Sequence, residues 1–389
     1  KVTHAFDSIG SGTTPTAGVE KYYQGGTINW LQTGDLNDGT ITETSKKLTP
    51  LATAHFSTLK IYPKQSIVIA MYGATIGKLG LLDIETATNQ ACCVVGGSKH
   101  LFPKYVFYSF FTAKKHIIAM GYGGGQPNIN QDLIRSLRLP APPLAEQTAI
   151  ANFLDQKTAE IDQAIALKTD LIERLKEYKQ ITIQHAVTRG LDPNAKMKAS
   201  GVEWIGDIPE GWDVLKLKYV LEERNERSLT GNEPLFMVSQ IHGLVVRSEY
   251  HDKAEVAQST IGNKIVYKND LVFNKLKGIF YDLVFLEYLF RHPAYIGQFV
   301  IRATGIVEGL IRLYTSELFQ IHVPVPPLHE QAAIVAHIEA ISAKIDQATD
   351  QAQQQINTLT EYKTVLINAA VTGKIKVTDD SAQGTRHAQ

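Results

Sequence analysis

The stretch PPLAEQTAIANFLDQKTAEIDQAI, residues 142–165, comes back with changes as PPLHEQAAIVAHIEAISAKIDQAT, residues 326–349. A gapless shift of 184 residues aligns Pro143 with Pro327 and Glu146 with Glu330. It continues through Ile161-Asp162-Gln163-Ala164 over Ile345-Asp346-Gln347-Ala348, Glu177-Tyr178-Lys179 over Glu361-Tyr362-Lys363, and Ala186-Val187-Thr188 over Ala370-Val371-Thr372. Of the 47 aligned residues 20 are identical. A match of that length without a gap is an internal duplication.

Each copy reads as one long helix. In the second, Ile334, Ile338, Ile341, Ile345, Ala348, Ala352, Gln355, Leu359, Tyr362, Leu366 and Ala369 recur at alternating steps of four and three. That spacing keeps one stripe turned toward a partner helix. In the first, the stripe is Ile150, Leu154, Ile161, Ala164, Leu171, Leu175 and Tyr178, interrupted by Lys157 and Lys168 and supplemented by Ile165 and Ile172 alongside. Prolines stand just ahead of both helices (Pro140, Pro142, Pro143; Pro324, Pro326, Pro327), where they cost no helix hydrogen bond, and Gly190 and Gly373 supply stops. At about 1.5 Å per residue each helix is roughly 65–70 Å long, too long to bury its stripe against one small domain. The two are expected to pack on each other; docking of each on its neighbouring domain, or zipping with another molecule, is the alternative.

Residues 1–142 and 191–326 are richer in short β runs, such as Ser66-Ile67-Val68-Ile69-Ala70-Met71 and Asp270-Leu271-Val272-Phe273, set between Gly, Asn and Pro breakers. The expected order is therefore a globular domain at 1–142, a helix at 143–190, a second domain at 191–326, a second helix at 327–373 and a flexible tail at 374–389. The fold class is α+β. The two domains differ while the two helices stay alike, the pattern of variable readers on a constant scaffold.

At 389 residues, 44% hydrophobic and 20% charged, the chain has material for two cores. No apolar run approaches the roughly 18 residues of a membrane span, so the chain is expected to be soluble, cytoplasmic and without a membrane partner. It opens on Lys1 rather than Met, and the native start is expected to lie upstream. Cys92 and Cys93 are adjacent, which suits neither a disulfide framework nor a zinc site and reads as buried, reduced thiols. A net charge of zero, taken alone, argues against a nucleic-acid partner. Residues 1–142, however, hold 13 Lys and Arg against 8 Asp and Glu, so the first domain is basic.

No catalytic constellation and no metal site emerges. Residues 73–78, GATIGK, lack one residue of a phosphate loop and place Leu79 where Ser or Thr binds magnesium, so they read as a turn beside a strand. Gly10-Ser11-Gly12 and Gly121-Tyr122-Gly123-Gly124-Gly125 lack dinucleotide spacing and read as flexible loops. His329-Glu330 starts like HExxH but Ala333 replaces the second His. Glu146-Gln147 and Glu330-Gln331 fall in first helical turns, where capping is the reading.

The twin PPLxEQ helix starts, the EYK and AVT pairs, EWIGDIPEGW at residues 203–212, and INWLQTGDLNDG, IVIAMYGATIGKLGLL and TNQACC in the first domain resemble the specificity subunit of type I restriction-modification systems. The resemblance spans essentially the whole chain. It implies two target-recognition domains joined by helices that form an intramolecular antiparallel coiled coil, with seam residues Ile150, Leu154, Ile161, Leu171, Leu175, Tyr178, Ile334, Ile338, Ile341, Ile345, Leu359, Tyr362 and Leu366. It further implies a non-catalytic chain that reads a split, asymmetric sequence in double-stranded DNA, one half per domain. Its partners would be two modification subunits, which use S-adenosylmethionine, and restriction subunits, which use ATP and Mg; no cofactor is expected on this chain. Two departures are the missing counterpart of EWIGDIPEGW ahead of Lys1 and the slightly acidic second domain.

Polar and aromatic residues beside predicted turns are the candidates for DNA contact. In the first domain these are Thr13, Thr14, Lys21, Tyr22, Tyr23, Gln32, Thr33, Tyr72, Thr75, Lys78, Gln126 and Asn128; in the second, Ser239, Gln240, Arg247, Asn274, Lys275, Lys277 and Arg302. The rival reading is a coiled-coil scaffold whose two domains bind protein partners and not DNA.

Overall fold

The computed structural model describes residues 1–121, 128–223, 225–239, 243–247, 261–267, 284–304 and 313–377. The chain divides into two compact units: residues 1–169 with 354–389, and residues 170–353. Both units draw on both long helices.

In the first unit, α1 (Val2–Ala5) precedes β1 (Ser8–Ser11), β2 (Ile28–Leu31), β3 (Gly39–Ile41), β4 (Lys46–Leu48), α2 (Pro50–His55), β5 (Ile67–Ala70), β6 (Leu79–Leu82), β7 (Ala87–Thr88), β8 (Cys92–Gly96), α3 (Pro103–Ala119) and α4 (Gln131–Ser136). Five strands pair in the order β1-β8-β5-β6-β3, antiparallel except β3 beside β6, and β4-β2-β7 form a smaller sheet. Strands β5, β6 and β8 are buried along their whole length, which explains why they read as unbroken apolar runs without alternation. Cys92 and Cys93 point to opposite faces of β8, Cys93 into the main core and Cys92 into a second cluster with Leu31, Leu36 and Leu82. Burial pushes both thiols above their ordinary range, Cys93 up to about 12.

Two glycine-rich stretches receive definite roles. GATIGK closes the β5–β6 hairpin: Ile76 N–H donates to Gly73 O, Lys78 N–H to Thr75 O and Gly77 N–H to Ala70 O. Gly10-Ser11-Gly12 is not a flexible loop. Gly10 and Ser11 belong to β1, and Gly12 N–H donates to Thr88 Oγ1 at 3.0 Å. A Cβ on Gly12 would lie 1.8 Å from Thr88 O, so the close approach itself demands glycine.

The first long helix, α5 (Leu144–Arg189), starts as its prolines predict. The polar residue that matters in PPLxEQ is Gln147, which is fully buried. Its Nε2 donates to Pro142 O (2.8 Å) and His100 O (3.1 Å), while its Oε1 accepts the Phe102 N–H at 2.8 Å, tying the helix start to the N-terminus of α3. The duplicate residue repeats the first bond, Gln331 Nε2 donating to Pro326 O at 2.7 Å.

The second unit holds β9 (Met197–Ala199) paired with β10 (Asp207–Pro209), β11 (Asp213–Lys216), and β12 (Phe236–Ser239) paired with β13 (Gly243–Val246). It continues through α6 (Val284–Phe290), α7 (Pro293–Arg302), α8 (Thr315–Leu318), β14 (His322–Val325), which pairs with β11, and the second long helix, α9 (Leu328–Val371). The EWIGDIPEGW segment builds this core. Trp212 is fully buried, and Trp204 stands edge-on to Tyr295 at 4.9 Å between centroids. Both long helices stop at a glycine in the left-handed region, Gly190 (φ +75) and Gly373 (φ +72).

The long helices pack antiparallel. In the first unit Ile150, Leu154 and Ile161 from the start of α5 share one core with Leu366, Ile367, Ala370 and Val371 from the end of α9. In the second unit Ala186 and Val187 from the end of α5 join Ile334 and Ile338 from the start of α9. Ile345 is buried too, while Ile341, Leu359 and Leu175 are half-buried. Leu171, Tyr178 and Tyr362 leave the expected seam: all three are exposed, and Ile172 is buried in place of Leu171. An α-helix drifts about 20° per heptad from a strict 3.5-residue repeat, so over several turns the buried position moves to its neighbour. In the EYK triplets the residue that crosses to the other helix is Lys. Lys179 Nζ meets Asp346 at 2.8 Å, and Lys363 Nζ meets Asp162 at 2.6 Å.

Candidate nucleic-acid interface

Several first-unit candidates gather around one shallow depression. The floor is Met71 and Ile129, both buried and joined by Ile129 N–H donating to Met71 O at 2.8 Å. The rim carries Tyr72 and Asn128 from the candidates, together with Ser11, Gln90, Asn130 and Gln131. Thr14 is tied to the same rim, its hydroxyl donating to Gln90 Oε1 at 2.6 Å. Gln131 Nε2 donates to Ser11 Oγ at 2.8 Å, so β1 and the first turn of α4 hold each other. Thr13 accepts the Trp30 indole N–H through its carbonyl at 3.3 Å, which fixes this loop against the small sheet.

Other candidates are placed elsewhere in the first unit. Tyr22 is a core residue. The short turn Glu20–Tyr22 directs its ring edge-on against Phe56, which follows α2 (5.3 Å between centroids), and its hydroxyl meets His55 Nδ1 at 3.1 Å. Tyr23 is half-buried and donates to Pro15 O at 2.6 Å, closing its own loop; burial raises its phenol above the ordinary range. Lys21 is exposed, its ammonium 5.3 Å from the Tyr22 ring centroid. Gln32 and Thr33 serve a local turn, in which the Gln32 carbonyl accepts from Asp35 N–H at 3.0 Å and Asp35 Oδ2 accepts from Gln32 N–H at 2.8 Å. Thr75 and Lys78 are half-buried in the β5–β6 hairpin. Gln126 lies outside the described residues.

In the second unit, Gln240, Asn274, Lys275 and Lys277 lie outside the described residues, and Ser239 closes β12. Arg247 follows β13, its N–H donating to Leu235 O at 2.9 Å. Arg302 ends α7, where its guanidinium donates to the Gln298 side-chain oxygen and, at 3.5 Å, to the Gln298 carbonyl. It belongs to a small basic group with Lys216 and His322, which face each other across β11 and β14. Burial first, then the charges of Lys216 and Arg302, hold the His322 imidazole below its usual range. Lys216 Nζ donates to Gln320 Oε1 at 2.9 Å.

Lys216, His322, Ser11, Gln90, Asn130 and Gln131 were not among the sequence candidates. A signal existed for three of them: Gln90 stands in TNQACC, and Asn130 and Gln131 follow Asn128 in NINQD. Strand pairing, which the sequence does not display, was needed to bring Ser11 and Gln90 to the same rim.

The family model of the type I restriction modification DNA specificity domain matches residues 6–177. The specificity subunit of type I restriction enzyme MjaVIII from Methanocaldococcus jannaschii is 24% identical over 70% of this chain and 70% of its own length. That of EcoKI from Escherichia coli K12 is 24% identical over 78% of this chain and 73% of its own length. Among solved structures, the HsdS subunit from Thermoanaerobacter tengcongensis superposes with a TM-score of 0.53 at 13% identity, covering 96% of both chains. A chain from a structure of type I R-M complex assembly and conformational transition reaches a TM-score of 0.67 at 13% identity, covering 96% of this chain and 97% of that one. The fold is thus shared along the length of the chain, and the sequence likeness falls on named specificity subunits. Residues 6–177 thus match a type I restriction modification DNA specificity domain, and the chain as a whole is similar in sequence and fold to specificity subunits of type I restriction enzymes.

Proposed function

We propose that this chain reads a two-part, asymmetric sequence in double-stranded DNA without catalysing a reaction itself. Residues 1–142 would read one half and residues 191–326 the other, with the length of the paired helices setting the number of base pairs skipped between them. Two modification subunits using S-adenosylmethionine, and restriction subunits using ATP and Mg, would be recruited to the site so marked.

The observation that carries this reading is the duplicated helix contact. Lys179 with Asp346 and Lys363 with Asp162 are the same pair made twice, with the helices exchanged. The pairing occurs in both copies of the duplicated helix, while the two globular regions differ in sequence. Repeated pairing under unlike globes is expected where each globe answers to its own target and both answer to one machine. Backbone phosphates supply affinity, and base edges supply choice; the basic first domain suits the former and the amide-rich rim suits the latter.

The test is methylation mapping of genomic DNA from cells that make this chain with its modification subunits. The expected result is one motif of two unlike half-sites separated by a fixed number of unspecified bases. A palindromic or uninterrupted motif would refute the one-half-per-domain reading. Absence of any motif, with the complex assembled, would favour domains that bind proteins.

A further inference from the structure

The depression in the first unit is lined by four carboxamides, Gln90, Asn128, Asn130 and Gln131, with Ser11 and Tyr72, and among the described residues by no charged side chain. A phosphate cradle would bring Lys or Arg to its rim. Neutral amides instead match base edges, and Gln or Asn against the N6 and N7 edge of adenine is the characteristic pairing of the major groove.

The fixed bonds decide which amide atoms face outward. Gln90 Oε1 is taken by the Thr14 hydroxyl at 2.6 Å, which leaves Gln90 Nε2 as a donor. Gln131 Nε2 is taken by Ser11 Oγ at 2.8 Å, which leaves Gln131 Oε1 as an acceptor. One donor and one acceptor on the same rim complement the N7 acceptor and N6 donor of adenine. Below them the buried Met71 and Ile129 give a stiff apolar floor, and Tyr72, 38% exposed, offers a ring at the edge.

We infer that this depression reads one adenine of the half-site assigned to the first domain, Gln90 donating to N7 and Gln131 accepting from the N6 amino group. The inference rests on the DNA-reading function proposed above and adds the base and the residues that read it. Thr14 and Ser11 act as positioning residues, since each holds one amide in the orientation the base requires.

The experiment is binding-site selection from randomised duplexes by the full chain assembled with its modification subunits, comparing wild type, Gln131→Ala and Gln90→Glu. Gln90 is exposed, so its near-isosteric change leaves the core untouched. The expected result is that Gln131→Ala loses discrimination at a single A·T position of one half-site by roughly 2- to 13-fold, the range set by one hydrogen bond. Gln90→Glu should turn preference at that position toward cytosine, whose N4 amino group donates to a carboxylate. The other half-site should remain as in wild type. Selected sites identical to wild type for both variants, or relaxation at a G·C position, would overturn the inference while the proposed function stands. An even loss of affinity for all sequences, without relaxation at any one position, would also overturn it. A wild-type complex that selects no sequence at all would overturn the function itself.

Discussion

Lys179 of α5 reaches Asp346 of α9 through both carboxylate oxygens at 2.8 Å. The residues aligned with them by the duplication, Lys363 and Asp162, repeat the contact at 2.7 and 2.6 Å. In both pairs the Asp side chain is more than half exposed. Such pairs contribute little each, about 0.2–1 kcal/mol, so their value lies in fixing register. Lys179→Asp should lower stability by about 1 kcal/mol by placing like charges together, and the exchange K179D with D346K should restore most of it. Urea unfolding of the three variants, followed by helical circular dichroism, makes the comparison.

Gln147 satisfies one backbone N–H and two carbonyls from a fully buried position, whereas Gln331 is half-buried and bonds one carbonyl. Each buried group left unpaired costs about 1–3 kcal/mol. Gln147→Ala should therefore destabilise by at least about 3 kcal/mol, and Gln331→Ala by about 1 kcal/mol. Thermal melts of the two variants check the order; equal losses would contradict it.

Gly190 carries a positive φ, and a Cβ there would lie 2.9 Å from Glu330 Oε1, whereas a Cβ on Gly373 would meet nothing within 4 Å. Both alanine variants incur the left-handed penalty of about 1–2 kcal/mol. Only Gly190→Ala must also move the Glu330 carboxylate aside while meeting the Trp212 ring at 3.4 Å. Its loss should be the larger of the two in denaturant unfolding.

The Cys92 and Cys93 thiols are raised chiefly by burial. For a thiol the raised value favours the neutral, protonated form in the folded state. The stability this gives is fully present below the unfolded thiol's pKa of 9.0 and is lost as pH rises from there through the folded value. A thiol reagent at pH 8 should find neither cysteine in the folded protein and both after denaturation. Stability should begin to fall above about pH 9; Cys92→Ala and Cys93→Ala variants should lose part of that dependence.

Insertion or deletion of one helical turn, about four residues, near the middle of α5 with a matching change in α9 should alter the spacer between half-sites. The half-site sequences should stay the same. Methylation mapping of the variants reads both quantities at once, and an unchanged spacer would remove the helices as the ruler.

The long helices and their pairing were legible because duplication, proline starts and apolar spacing are all one-dimensional signals. Seam detail was less so: Leu171, Tyr178 and Tyr362 fit a strict heptad on paper, but the 3.6-residue turn carries them out to solvent. The buried strand Ile67–Ala70 announced itself as an apolar run, whereas Cys92–Gly96 was read only for its buried thiols. Strand order did not, since a parallel neighbour such as β3 beside β6 depends on contacts far apart in sequence. For the same reason Tyr72 and Asn128 were found as turn residues, while Gln90 and Ser11, which face them only after the sheet forms, were missed. Tyr22 misled because an aromatic beside a turn looks the same in sequence whether its ring faces solvent or Phe56.

Leu366, Ile367, Ala370 and Val371, near the end of α9, sit in the core built around Ile67, Tyr105 and Ile150. During synthesis the ribosome makes residues 1–169 long before those four side chains exist. The first globe therefore waits, with part of its apolar surface uncovered, until the far end of α9 has emerged. Chaperone dependence and aggregation of prematurely terminated chains should accordingly follow the arrival of the last helix and not the completion of each half in turn.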